Sequence, residues 1–203
     1  MVFFDELLQA QDFRGAVDEI GRDFRARFAL PAIHQLGLVV PDVEQAADEL
    51  ESKGIGPFFI VNGSVDIWQE RGDEKGFAGK MGLAGYKGYE IELLEPGDGS
   101  DFYSRCVDAG GRPVVQHLGF MVNDVDIWAS VLSQAGCPVW VKGDMGVWPV
   151  RTKFAYMDTV KESGIIMEFI NWSVFGVTFQ PPMLLYRGLA GLEKRTGVRS
   201  IAL

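Results

Sequence analysis

The chain has 203 residues, enough for one large domain or two small ones with a substantial core. Apolar residues make up 47% of it and charged residues 23%, the composition of an ordinary soluble globular protein. The formal net charge of −9 argues against nucleic acid or an anionic membrane as partner. No apolar run is long enough to span a bilayer, and Asp5 and Glu6 stand where a signal peptide carries basic residues. The two cysteines, Cys106 and Cys137, fit a reducing compartment, so we expect a cytoplasmic protein.

Residues 1–30 predict a helical extension. Their apolar residues recur at spacings of three and four, which is typical of amphipathic helices: Phe4, Leu7, Leu8, Phe13, Val17, Ile20, Phe24 and Phe28. Pro31 ends the segment. We expect one or two helices that pack on the domain or contact a second subunit.

Residues 31–96 predict a first module with the order β-α-β-β-β. Its first strand, residues 33–40, places Gln35 on one face and His34 on the other. Asp42 has the spacing of a helix cap with Gln45. The further predicted strands cover residues 58–61, 80–84 and 89–94. Between the first two of these strands we expect a polar loop with a short strand near Trp68.

Residues 114–172 predict a second module with the same order. Asp124 caps its helix. Its predicted strands cover residues 114–122, 139–142, 153–158 and 164–170. Residues 97–113 form a linker between the modules, and residues 173–203 form a tail that we expect to cover the domain or a neighbouring subunit.

The two modules repeat each other in sequence. QLGLVVPDV, residues 35–43, returns as HLGFMVNDV, residues 117–125, with five of nine positions identical. YEIELLEP, residues 89–96, aligns in the same way with IIMEFINW, residues 165–172. An internal repeat of about 80 residues indicates a duplicated unit. We therefore predict an α+β fold in which two tandem βαβββ modules form one curved, cleft-bearing mixed sheet.

Each module offers one polar residue at the start of its first strand and one glutamate in its last strand. These are Gln35 and Glu92 in the first module and His117 and Glu168 in the second. A lone strand histidine is usually structural, but a glutamate within an apolar strand is costly to bury without a partner. On a shared concave face, one amide oxygen, one imidazole and two carboxylates suit Zn²⁺, Ni²⁺, Co²⁺ or Mn²⁺. The four residues together predict a divalent-metal site.

His34 has no counterpart in the second module, where Gln116 stands. We expect it to be structural. A register shift of one residue would exchange the roles of His34 and Gln35.

Several strand and loop aromatics predict an apolar pocket beside the site, although such residues more often belong to the core. The candidates are Phe58, Phe59, Phe77, Trp140, Trp148 and Phe154.

At these residues the chain resembles the vicinal-oxygen-chelate superfamily, which includes glyoxalases, extradiol dioxygenases, methylmalonyl-CoA epimerases and bleomycin-resistance proteins. The resemblance covers about residues 31–172. Gln35, Glu92, His117 and Glu168 are similar to the zinc ligands of the eukaryotic-type glyoxalase I. The Asn-Trp-Gly that follows the first glutamate strand in those enzymes is absent, and their glutathione-binding arginines have no counterpart that can be placed here. Lactoylglutathione is therefore not the expected substrate.

The resemblance implies a divalent metal that binds adjacent oxygens of a small-molecule substrate and stabilises an enolate. It also implies Glu168 as the base that moves the proton alpha to a carbonyl, with Glu92 as its partner across the site. We therefore expect an isomerase, epimerase or lyase, acting as a homodimer on a small substrate that the aromatic residues suggest is aromatic.

Two other functions stay open. A metal-free antibiotic-binding protein would use an acidic aromatic cleft to attract a cationic drug. A ring-modifying oxygenase of the extradiol type needs two histidines and a carboxylate on iron, whereas His34 and His117 are the only histidines. The metal ligands can come from one chain or from both subunits of a dimer.

Overall fold

A computed structural model describes residues 1–146, 148–196 and 200–202. The helices are α1 (Phe4–Gln9), α2 (Phe13–Glu19), α3 (Arg22–Arg27), α4 (Val43–Ser52), α5 (Val125–Gln134), α6 (Val160–Ser163) and α7 (Met183–Thr196), with a short 3-10 helix at Ser104–Cys106. The strands are β1 (Val2–Phe3), β2 (Gln35–Val39), β3 (Phe59–Ser64), β4 (Ile67–Glu70), β5 (Asp73–Lys75), β6 (Ala78–Tyr86), β7 (Tyr89–Leu94), β8 (Val114–Met121), β9 (Val139–Met145), β10 (Val150–Met157), β11 (Ile166–Val174), β12 (Val177–Thr178) and β13 (Ile201–Ala202).

The strands of the described residues form one curled half-barrel sheet. Its central order is β3-β6-β7-β2-β8-β11-β10-β9, so β2 and β8 are the seam between two similar halves. The two seam strands are antiparallel to each other, while β2 runs parallel to β7 and β8 runs parallel to β11. The predicted α+β class with a curved mixed sheet is confirmed.

The helix-covered face of the sheet holds the larger core. Alternate residues of β2, such as Leu36 and Leu38, point to this face and pack with the apolar stripes of α4 and α5. Both helices begin at the predicted caps. The Asp42 carboxylate accepts a hydrogen bond from the backbone amide of Gln45, and the Asp124 carboxylate accepts hydrogen bonds from the backbone amides that follow it. These helices leave the opposite, concave face free for other elements.

The concave face holds a second, mainly aromatic cluster, and we call it the concave aromatic cluster. Its buried members are Val39, Trp68, Phe77, Leu94, Phe102, Tyr103, Val141, Phe154, Tyr156 and Ile166. The hairpin of β4 and β5 contributes to it by crossing from the first half of the sheet to pair with β9. The predicted short strand near Trp68 is β4, but the rest of the expected loop is also largely strand, since β4 and β5 form a hairpin. Burial of Trp68, which stacks on Phe77 with ring centroids 4.8 Å apart, holds the hairpin in place.

The terminal extensions pack on the same chain. The N-terminal segment forms three short helices rather than one or two, with Gly21 in the left-handed conformation between α2 and α3. β1 pairs with β8. At the other end, α7 packs across β3 and β6, and its buried Glu193 accepts from the Ile60 amide. No helix within the described residues is long and apolar enough to cross a membrane.

Truncation of the helix-side core should separate buried from exposed positions on α5. Leu132 is fully buried, so Leu132→Ala should lower the free energy of unfolding by about 2–5 kcal/mol. Ile127 is 61% exposed on the same helix, so Ile127→Ala should change it by less than about 0.5 kcal/mol. Urea denaturation of both variants measures the difference. Equal losses would contradict the orientation of α5.

Candidate metal centre

The predicted ligands lie on the concave face in two adjacent rows across the seam. In the first row Gly37 of β2 is the register partner of Glu92 on one side and of His117 on the other. A Cβ atom at Gly37 would lie 1.7 Å from Cε1 of His117. The imidazole therefore fills the space that any side chain at Gly37 would need, and glycine at this position is what lets His117 reach Glu92.

The second row is Gln35, Gly119 and Glu168. Gly119 of β8 is the register partner of Gln35 on β2 and of Glu168 on β11. A Cβ atom at Gly119 would lie 2.6 Å from Oε1 of Gln35, so the amide oxygen sits over this glycine. Both glycines belong to the sequence repeat, and each leaves room on the concave face for a polar side chain from a neighbouring strand.

The three ionisable members are brought together within one chain. Nε2 of His117 lies 3.3 Å from Oε2 of Glu92 and 3.1 Å from Oε2 of Glu168. One ligand atom from each residue falls within 4.8 Å of the others. Gln35 and these three residues are all buried, with exposed fractions between 0 and 7%.

Four atoms of this group have no hydrogen-bond partner among the described residues. They are Oε1 of Gln35, Oε2 of Glu92, Nε2 of His117 and Oε2 of Glu168. Burying unpaired carboxylates is expensive, and two of them beside a neutral imidazole carry a net charge of −2. One divalent cation would neutralise that charge and occupy the lone pairs. The donor set of three oxygens and one imidazole nitrogen therefore fits a divalent metal.

Gln116 sets the tautomer of His117. Where β2 pairs with β8, the register passes from His117 directly to Val115, so Gln116 is the extra residue of a β-bulge. Its Oε1 lies 2.7 Å from Nδ1 of His117. Because an amide oxygen only accepts, Nδ1 carries the proton of the neutral ring and Nε2 presents its lone pair to the carboxylates. In the sequence, the feature that could have pointed to Gln116 is that it directly precedes His117, so that two polar residues stand together in an otherwise apolar strand.

The pKa values in this group reflect burial and mutual charge. Burial raises the pKa of Glu92 to about 7 despite its contact with His117, and the charge of Glu168 adds to the rise. Burial acts to lower the pKa of His117, but the carboxylates of Glu168 and Glu92 outweigh it and raise the value to about 9. The metal-free group therefore holds protons that a bound cation would displace.

Tyr156 and Tyr103, which the sequence did not indicate, lie beside the candidate metal ligands on the concave side. Tyr156 is the register partner of Glu168, and its ring centroid lies 5.0 Å from that of His117. Its hydroxyl lies 3.0 Å from the hydroxyl of Tyr103, which belongs to the linker. Burial, and then the nearby carboxylates, raise the pKa of both phenols well above the usual value. Two neutral hydroxyl groups thus cover the charged cluster.

The predicted aromatic pocket is only partly assembled. The residues that belong to the concave aromatic cluster or pack against it are Phe77, Trp140 and Phe154. Phe58 instead lies in the helix-side core, because it shares with Ile60 the strand face that the helices cover. Phe59 is half-buried on β3, and Trp148 is exposed. The structure therefore does not bring these last three to the cluster.

The expectation that His34 and Gln35 face opposite sides is wrong. Nε2 of Gln35 donates to Oε1 of Glu90 at 2.7 Å, and Nε2 of His34 lies 3.8 Å from Oε2 of the same carboxylate. His34 precedes β2, where the backbone does not yet follow strand alternation. Both side chains consequently reach Glu90. Glu90 stands two residues before Glu92 on β7, so both side chains lie on the same face of the sheet.

Adding a methyl group at Gly37 should disrupt the centre. In Gly37→Ala the new Cβ collides with the His117 ring, so we expect Zn²⁺ or Co²⁺ affinity to fall at least about tenfold, the size of effect seen when ligand orientation is lost. Gly76→Ala is the control, because a Cβ there meets no atom within 4 Å. Titration with Co²⁺ measures both. Unchanged affinity in Gly37→Ala would contradict the packing of His117 on Gly37.

The metal-free protein should lose stability as pH rises. The pKa of Glu92 is raised from 4.5 to about 7 and that of His117 from 6.5 to about 9. Each group favours the folded state fully below its unfolded pKa, and this contribution is lost as pH rises through the folded pKa. We expect the free energy of unfolding to fall between pH 4.5 and 9, and to fall less steeply in Glu92→Gln. Denaturation curves of metal-free protein at several pH values test this, and stability that rises over the same window would contradict it.

The chain is similar to known proteins in its sequence profile and in its fold. The family profile described as Glyoxalase/Bleomycin resistance protein/Dioxygenase superfamily matches residues 34–156. A search of curated proteins gives no match. Among solved structures, methylmalonyl-CoA epimerase from Mycobacterium tuberculosis is 15% identical with a TM-score of 0.44, over 70% of this chain and 87% of that one. A variant of Streptomyces coelicolor methylmalonyl-CoA epimerase in complex with 2-nitronate-propionyl-CoA is 16% identical with a TM-score of 0.44, over 70% and 94%.

A hypothetical protein from Bacillus halodurans C-125 is 14% identical with a TM-score of 0.41, over 68% of this chain and 92% of that one. The profile match covers more than half of the chain, and the structure has the curled half-barrel of paired strand units with the buried Glu/His/Glu group. The chain belongs to the glyoxalase, bleomycin-resistance and dioxygenase superfamily, which is the vicinal-oxygen-chelate superfamily.

Proposed function

We propose that this protein is a divalent-metal-dependent isomerase, epimerase or lyase that moves a proton alpha to a carbonyl group. The observation that carries the proposal is a set of four buried polar atoms that have no hydrogen-bond partner in the described part of the chain. Three of them belong to ionisable residues whose ligand atoms lie within 4.8 Å of one another. A protein that only binds a drug gains nothing from burying two carboxylates in this way.

Gln35, Glu92, His117 and Glu168 would hold the metal. When bound, it supplies Lewis-acid stabilisation of negative charge on a substrate oxygen. Glu168 takes the proton from the carbon next to the carbonyl on a carboxylate oxygen and later releases it to water. Glu92 takes up a proton from water and returns it to the substrate from the other side of the site.

The linker limits access to the centre. Phe102 and Tyr103 are buried over the concave face, with the Phe102 ring centroid 5.1 Å from that of Tyr156. A substrate would reach the ligands by displacing these two side chains, and its apolar part would then contact the concave aromatic cluster. This favours a small substrate with an apolar or aromatic group.

The homodimer, the cytoplasmic location and the boundaries of the two modules remain predictions.

Metal content and proton exchange test the proposal together. Elemental analysis of wild type loaded with Zn²⁺, Co²⁺, Ni²⁺ or Mn²⁺ should find about one ion per chain, as expected for a four-ligand site, and His117→Ala should lose it. In deuterated water the loaded wild type should catalyse exchange at the α-carbon of 2-hydroxyacetophenone, a small aromatic α-hydroxyketone. Glu168→Gln should slow that exchange about 100-fold or more.

Glu162→Gln is the matched control, because this glutamate is exposed on α6 and should leave both readouts unchanged. Absence of metal uptake by wild type would refute the proposal. Tight binding of a cationic aromatic drug by that same metal-free protein would then support the antibiotic-binding function. Exchange that is equally fast in Glu168→Gln would remove Glu168 as the base.

A further inference from the structure

We propose that Glu90 is a positioning residue that fixes the Gln35 amide with its oxygen toward the metal centre, and that Glu90 thereby raises the affinity of the centre for metal. This inference rests on the proposed metal centre and deepens it, because it assigns a role to a carboxylate outside the ligand set.

The hydrogen bond between the two side chains determines which end of the amide faces inward. Nε2 of Gln35 donates to Oε1 of Glu90 at 2.7 Å, and both residues are buried. An ionised carboxylate only accepts, so it holds the NH₂ end of the amide. The amide oxygen is then directed over Gly119, where it has no hydrogen-bond partner among the described residues. Rotation of the amide by half a turn would set its oxygen against a carboxylate oxygen and is therefore disfavoured.

Glu90 breaks the internal repeat at a buried position. In the alignment of the two modules, Glu90 corresponds to Ile166, just as Glu92 corresponds to Glu168. Ile166 packs in the concave aromatic cluster, which shows that the fold accepts an apolar residue at this place. Burying a carboxylate there costs free energy unless it is hydrogen-bonded. Glu90 lies in the same module as Gln35, and an amide can present either its oxygen or its NH₂ group to a metal unless a partner fixes it.

The second carboxylate oxygen of Glu90 faces His34, in the segment before β2, and the C-terminal tail contacts the far side of that imidazole. Nε2 of His34 lies 3.8 Å from Oε2 of Glu90, and Nε2 of Gln180 lies 3.2 Å from Nδ1 of His34. The Gln180 amide nitrogen is a donor, so Nδ1 accepts and the His34 proton is on Nε2, on the side of Glu90. The other carboxylate oxygen of Glu90, Oε1, accepts the hydrogen bond from Gln35.

Co²⁺ affinity in a double-mutant cycle tests this role. Glu90→Ile copies the residue of the second module and removes the acceptor, so affinity should fall about 10- to 100-fold, as for other groups that orient a ligand. In a Gln35→Leu background the same Glu90→Ile change should have no further effect, because the amide it orients is gone. A merely structural Glu90 would lower thermal stability without this coupling in metal affinity.

Two further variants keep the result interpretable. Glu90→Gln is nearly isosteric and lets either end of the Gln35 amide face it, so affinity should fall about two- to tenfold; it carries the test should Glu90→Ile not fold. Glu70→Gln is the control for loss of a buried glutamate, because Glu70 pairs with Lys75 and Ser100 away from the centre. Unchanged Co²⁺ affinity in both Glu90 variants, or an undiminished loss in the Gln35→Leu background, would overturn the inference. Failure of wild type to bind Co²⁺ would instead overturn the proposed function.

Discussion

Two carboxylates and an imidazole are buried together at the seam where β2 pairs with β8, and neighbouring residues are arranged to accommodate them. Desolvation of Glu92 and Glu168 must be offset by positive charge, either a proton on His117 or a cation among the three. Gly37 and Gly119 have no side chains, and this leaves room for the imidazole and for the Gln35 amide. The seam therefore brings the four predicted ligands, each from a different strand, together within one chain.

Around this centre, polar groups outside the ligand set orient two of the four proposed ligands. Gln116, the buried extra residue of a β-bulge, accepts the Nδ1 proton of His117. Glu90 holds the amide of Gln35. Metal ligands commonly depend on such partners for orientation and basicity. The linker then closes the centre with Phe102 and Tyr103, so binding of a substrate and movement of these side chains are coupled in the proposed reaction.

The sequence repeat was enough to predict the curved two-unit sheet and the approach of Glu92, His117 and Glu168. It succeeded because equivalent positions in duplicated units meet across a symmetric seam. Strand alternation failed at His34 because Ile33 and Leu36 both pack in the helix-side core, so the period of two is broken between them. A short strand near Trp68 was predicted, but β5 and the pairing of β4 with β9 were not, because they depend on burial of Trp68 across the cleft, and local sequence does not encode such long-range packing.

The most direct test of the metal centre is a crystal structure of the Zn²⁺-loaded protein with anomalous data collected at the zinc edge. We predict one anomalous peak on the concave face, about 2.0–2.2 Å from Nε2 of His117 and from carboxylate oxygens of Glu92 and Glu168, with Oε1 of Gln35 directed at it. A fully loaded crystal with no peak among these residues, or with its only peak at the surface, would contradict the central claim.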